Sequence, residues 1–251
     1  MSSQINVRED LHDLYRRHGF SPGATYTGVM DKALAPGLSY GTAAFYGVTA
    51  TILSSKRMIA YNLVQNSIDE AKGGSRIQLV ADRYAPPDLQ RKMKRHVGEE
   101  LKHSKQFGEL VPITGYRMEE VADNKPELIE EVLEFDDDLH AFICRVHSIE
   151  IRSWTVLRIY QQVLNERQFG EVADRALPVL DDIMQDEINH VVYTGQQLDE
   201  WLRSNEKPGL PDTLEECFAH TNRETWQDMS SMVAYLAKNY EVALELHPAA
   251  A

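Results

Sequence analysis

Glu187-Ile188-Asn189-His190 and Glu100-Leu101-Lys102-His103 each set a glutamate three residues ahead of a histidine, and on these two strings the reading of the whole chain turns. On an α-helix that spacing puts both side chains on one face, so each string can hold one metal ion. With this many glutamates and nine histidines, chance yields about one such pair, and Glu9 with His12 reads as that accident. What sets the other two apart is a lone glutamate upstream of each, Glu70 and Glu150. Four helices would gather all six side chains into a dinuclear metal site.

Outward from the strings, the spacing predicts the helices that carry them. Helix A starts near Val48 and carries Ile52, Ile59, Leu63, Glu70, Ile77 and Val80 or Ala81 on one stripe, until Pro86-Pro87 break it. Helix B follows with Leu89, Met93, Val97, Glu100, His103 or Ser104, Phe107 and Leu110 inward, ending at Pro112 and Gly115. Asp123 and Pro126 cap helix C, which runs to about Gln168 with a bend at 136–138. Its inward stripe is His140, Ile143, His147, Glu150, Trp154, Leu157 and Gln161. Helix D spans about Glu171 to Leu202, carrying Leu180, Ile183, Glu187, His190 or Val191, Thr194, Leu198 and Trp201, with Pro178 either kinking it or marking its start. A fifth helix, about 212–240, opens on a capping box at Thr213 and Glu216. At the other end, residues 8–18 form a short helix and Gly19 to Gly47, rich in Gly, Pro, Ser and Thr, reads as loop with one helical turn.

Helix geometry tests the site. In a hairpin turning at residues 84–88, Glu70 lies roughly 21 Å and Glu100 roughly 18 Å from the turn at ~1.5 Å per residue. In the second hairpin Glu150 and Glu187 lie roughly 27 and 24 Å from theirs on the same basis. Each lone glutamate is thus level with its Glu-x-x-His pair. Four buried carboxylates without a cation would repel one another at a desolvation cost of several kcal/mol, which favours ligands over a bare polar cluster.

Composition narrows the class. The 251 residues, 43% of them hydrophobic, suffice for one large domain or two small ones, and we expect a single domain over 1–251 with its core bundle at about 48–204. No apolar run approaches the ~20 residues that cross a bilayer. The N-terminus lacks the pattern of a secretory signal, and two cysteines, Cys144 and Cys217, form neither a disulfide framework nor a CxxC pair, which together suggest a cytoplasmic protein. A net charge of −13 argues against nucleic-acid binding. The one basic cluster, Arg91-Lys92-Met93-Lys94-Arg95, is either a solvated face or a docking patch for an acidic redox partner.

The six-residue set resembles the ferritin-like di-iron carboxylate superfamily over about residues 48–204, an all-α fold built on a four-helix bundle. The resemblance implies Glu70 and Glu150 as lone carboxylate ligands, Glu100 and Glu187 as bridging or chelating ones, and His103 and His190 as nitrogen ligands, for two iron ions with manganese as the alternative. It implies a dioxygen-dependent oxidoreductase, a monooxygenase or oxidase that hydroxylates, desaturates or cleaves a small organic substrate with an external electron donor. An iron-handling ferroxidase and a di-manganese catalase share the pattern and stay open. Asp186, preceding Glu187, matches an aspartate that orients a metal-bound histidine in such proteins, or else is an exposed helix residue. His147 admits three roles: ligand, hydrogen-bond partner behind the ligands, or core histidine. Tyr193 suits an electron relay or a plain packing role. Gly73 and Gly74, inside helix A, imply room above the metals with local unwinding, or close helix packing. The chain departs from the N-oxygenase branch, whose extra histidine four residues before the second pair's glutamate is Ile183 here, and its acidity counts against a tRNA-hydroxylating branch. A homodimer is the default expectation for such bundles.

Overall fold

The computed structural model describes residues 5–35, 38–122, 138–167 and 170–238, and every regular element among them is helical. The α-helices are α1 (Val7–Arg17), α2 (Ala24–Ala33), α3 (Ala43–Ile52), α4 (Lys56–Tyr84), α5 (Pro87–Leu110), α6 (Met118–Ala122), α7 (Leu139–Arg167), α8 (Glu171–Ser204) and α9 (Leu210–Lys238). None of the described helices is long and apolar enough to cross a membrane. The chain divides into two compact units, each assembled from separated stretches. The first comprises 1–46, 133–158 and 184–226, and the second 47–132, 159–183 and 227–251.

The second unit is organised around the α4/α5 hairpin. Pro86 and Pro87 forbid a continuous helix, and Pro87 then serves as the first residue of α5, where its missing N–H costs nothing. Met93 and Val97 of α5 and Ile77, Val80 and Ala81 of α4 are buried near the turn, and Phe107 and Leu110 of α5 and Ile59 and Leu63 of α4 are buried farther from it. Ser67 and Ser104 lock the two helices reciprocally, each hydroxyl donating to the other residue's carbonyl at 2.8 and 2.6 Å. Farther along, Lys102 pairs with Asp182 of α8 at 2.8 Å and Gln106 donates to the same carboxylate at 2.7 Å.

In the first unit the buried side chains Leu11, Leu14 and Tyr15 of α1, Tyr26 and Met30 of α2, Phe142 and Ile143 of α7, and Phe218 of α9 make the core. Asp138 caps α7 by accepting from the backbone N–H of His140 at 3.0 Å and of Ala141 at 3.3 Å. Arg145, buried on α7, reaches α9 by donating to Thr221 Oγ1 at 2.5 Å and pairing with Glu224.

Three sequence expectations need correction. The stretch 19–47 is not loop: it holds α2 and the start of α3, whose Tyr26, Val29, Met30 and Phe45 are buried, so packing outweighs a composition poor in helix formers. Helix A is two helices. The chain leaves α3 at Ile52, and Ser55 caps α4 by accepting from the Met58 N–H at 3.3 Å. The fifth helix begins at Leu210, after Gly209 with φ of 81°, so Thr213 lies within its first turn and donates to the Gly209 carbonyl at 3.2 Å instead of capping. Pro178 stays inside a continuous α8, and the expected cap at Asp123 and Pro126 lies outside the described residues.

Candidate metal centre

Within the second unit, α4 and α5 bring Glu70, Glu100 and His103 together. Each offers a ligand atom within 4.8 Å of the others. Glu100 and His103 are buried, at 6% and 0% exposure, while Glu70 is half-buried. Close helix approach makes this possible. A Cβ on Gly74 would stand 3.1 Å from the Glu100 Cβ, tighter than ordinary contact, so a side chain there would push α5 and its ligands away. Of the two readings of Gly73-Gly74, close packing therefore holds at Gly74, and both residues remain helical without unwinding.

Within the first unit, α7 and α8 bring Glu150 and His190 together, with Glu150 Oε2 3.4 Å from His190 Nδ1. Both are buried, as is Glu187, one turn before His190 on α8. Asp186 and Tyr193 are half-buried on that helix. Glu9 and His12 belong to no such cluster: Nε2 of His12 meets Asp31 at 3.0 Å. The basic run on α5 is paired at the surface, with Arg91 to Asp88 at 2.6 Å and Arg95 to Glu99 at 2.8 Å on α5 and Lys94 to Asp82 of α4 at 2.9 Å, which suits a solvated face.

Beside Glu150 and His190 of the first unit runs a buried hydrogen-bond chain. The Tyr15 and Tyr26 hydroxyls lie 2.6 Å apart, Tyr26 Oη lies 2.7 Å from His147 Nε2, His147 Nδ1 lies 2.7 Å from Thr194 Oγ1, and Thr194 Oγ1 donates to the His190 carbonyl at 2.6 Å. Its direction follows from that last bond. The Thr194 proton is committed to the carbonyl, so Thr194 accepts from Nδ1–H of His147, Nε2 accepts from Tyr26, and Tyr26 accepts from Tyr15. His147 is then neutral, consistent with burial lowering its pKa from 6.5 to about 3 against a smaller upward pull from Glu150. Burial likewise pushes both tyrosines up from the usual phenol range. Both ring nitrogens of His147 thus meet hydroxyls, and through Thr194 the ring is joined to the α8 turn that carries His190. Gly195 makes room for the chain. A Cβ there would meet the Tyr15 hydroxyl at 2.8 Å, the Tyr26 hydroxyl at 3.1 Å and His147 Cε1 at 3.3 Å.

The donor sets fit a metal ion. Carboxylate oxygens and imidazole nitrogens, without thiolate, suit iron or manganese better than soft-ligand metals. Glu70, half-buried, and Glu100, buried, each offer an oxygen within 4.8 Å of the other, where a cation would offset their mutual repulsion. No protein-family model matches the chain, and neither does any curated protein or solved structure.

Sequence reasoning missed two groups of side chains and a cavity here. One is the tyrosine chain with Gly195. The other is His96, which is 1% exposed with Nε2 2.9 Å from Glu100 Oε1. An apolar cavity in the second unit also went unforeseen. Leu53, Ile59, Leu63, Leu164, Val172 and Leu180 line it together with Asn66 and Phe107. Asn66 precedes Glu70 by one helical turn and Phe107 follows His103 by one, so the cavity borders the ligand-bearing turns of α4 and α5.

Proposed function

We propose that the chain is a ferritin-like, non-haem di-iron oxidoreductase that uses dioxygen to hydroxylate, desaturate or cleave a small organic substrate. The observation that carries this reading is the repetition of one donor pattern. Glu70 with Glu100 and His103 on one helix pair, and Glu150 with Glu187 and His190 on the other, are the two halves that a dinuclear carboxylate centre requires. Two divalent cations would balance the four carboxylates. When bound, the metals supply the redox chemistry of dioxygen activation.

The protein's own contribution is position and environment. Gly74 lets α4 and α5 approach closely enough for Glu70 and Glu100 to share a cation. His147 and Thr194 hold the turn beneath His190 in one orientation, which keeps its imidazole presented the same way to a metal. The small apolar cavity beside Asn66 and Phe107 would suit dioxygen, with Asn66 as its polar contact.

Anaerobic loading with ferrous iron, metal quantitation and stopped-flow absorption on mixing with dioxygen test the proposal. About two irons per chain and a transient visible absorption, decaying faster with an accepted substrate, support it. Progressive accumulation of ferric mineral in a large assembly would point to iron handling instead. Peroxide turnover without reductant by the manganese form would indicate a catalase.

A further inference from the structure

We propose that His96 is a third imidazole ligand, so that α5 supplies His96, Glu100 and His103 to the metal centre. The inference rests on the metal-centre reading above and adds a residue to it. His96, Glu100 and His103 stand at positions i, i+4 and i+7 of one helix, which places all three along a single stripe. All three are buried, the His96 side chain completely. Nε2 of His96 lies 2.9 Å from Glu100 Oε1, so its ring is aimed at the carboxylate that would itself bind metal.

His147 shows how a buried histidine looks when it only braces the fold. There both nitrogens meet neutral hydroxyls from other helices at 2.7 Å. His96 instead turns Nε2 toward an acidic ligand on its own helix. A neutral buried imidazole can donate one N–H to a carboxylate or offer one lone pair to a metal, and metal binding requires that neutral form. Without metal, Nε2–H donates to Glu100. With metal bound, the neutral ring would carry its proton on Nδ1 and offer the Nε2 lone pair, so Glu100 Oε1 would no longer be its acceptor. α5 would then contribute one carboxylate and two imidazoles.

The test compares full-length wild type, His96→Ala and His96→Gln in anaerobic titrations with Mn(II), followed by the electron paramagnetic resonance of the free ion. Pulsed resonance on ¹⁵N-histidine protein then counts coordinated nitrogens. Circular dichroism of the metal-free variants checks that they fold. Wild type is expected to bind about two ions per chain. Both variants should bind one of them at least tenfold more weakly and lose one histidine nitrogen coupling, with added imidazole restoring the affinity of the alanine variant. His96→Gln keeps a donor for Glu100 and lacks only the imidazole. Wild-type affinity in the glutamine variant, or an unchanged nitrogen count in either, overturns ligation by His96 while leaving the metal centre intact. Wild type that binds no ion overturns the metal centre itself, and the ligand assignment with it.

Discussion

Replacing Gly195 with alanine should destabilise the protein even though the same change elsewhere in a helix stabilises it. Gly195 sits inside α8, where alanine is favoured over glycine by about 1 kcal/mol. Against that gain, the new methyl would stand 2.8 Å from the Tyr15 hydroxyl, 3.1 Å from the Tyr26 hydroxyl and 3.3 Å from His147 Cε1. None of the three can swing away into solvent, because all are buried and tied to one another by hydrogen bonds of 2.6 and 2.7 Å. Overpacking of this kind costs about 1–3 kcal/mol. Stretching one or two buried hydrogen bonds adds about 1 kcal/mol each. The net expectation is a loss of about 2 kcal/mol, a drop in Tm of roughly 4–8 °C for a chain of this size. Gly98 provides the control. It is exposed within α5 and an added Cβ meets nothing within 4 Å, so Gly98→Ala should gain about 1 kcal/mol. Urea and thermal unfolding of the metal-free protein measure both. Because Tyr15 makes the closest contact, Gly195→Ala should cost markedly less in a Tyr15→Phe background, giving a coupling energy of about 1 kcal/mol. Equal gains from the two alanines, or strict additivity with Tyr15→Phe, would refute the reasoning.

His147 predicts a pH dependence. Its folded pKa of about 3 lies below the unfolded 6.5, so the unfolded state binds the extra proton and stability falls as pH drops between those values. In metal-free protein, His147→Gln should flatten the slope of unfolding free energy against pH near pH 5 by up to about 1.4 kcal/mol per unit, and an unchanged slope counts against the neutral assignment. Removing the buried Arg145 guanidinium leaves Glu224 with His220 and Thr221 with Ser148 as remaining partners, so Arg145→Ala should cost about 2–3 kcal/mol in chemical denaturation, less than a fully buried pair because Glu224 is partly exposed. Ferrous iron or Mn(II) at a hundredfold over its Kd should stabilise by about 2.7 kcal/mol per independent site and be reversed by chelation, whereas Glu100→Ala should abolish most of the shift seen in a calorimeter.

How far the residues themselves reveal the fold depends on where punctuation and periodicity agree. Pro86-Pro87 and Gly170 mark turns that no long helix can cross, and the stripes of α5 and α8 follow without ambiguity from them. Between Ile52 and Ile59 the two signals diverge. Those residues are seven apart, in phase for one helix, and both are buried, so the stripe runs unbroken through a real gap that only the Ser55 cap announces. In α2 the reverse occurs: glycine and threonines suggest loop, while Tyr26, Val29 and Met30 keep a helical spacing whose burial decides the outcome. Thr213-x-x-Glu216 satisfies the capping pattern, yet Gly209 with its positive φ turns the chain earlier.

The site divides along a similar line. Side chains three or four apart on one helix declare themselves in any sequence, which is why Glu100 with His103 and Glu187 with His190 stand out, and why His96, four residues before Glu100, was within reach of the same search run in both directions. Tyr15 and Tyr26 were not. They lie 121 or more residues from His147, and nothing local ties them to it. The one local trace is Thr194-Gly195, a hydroxyl followed by a missing side chain one turn after His190. That pair marks where a foreign hydroxyl approaches the helix. A glycine that a helix would otherwise exclude is best read as the imprint of a neighbour, and at Gly195 the neighbour is the hydrogen-bond chain that holds His190 in place.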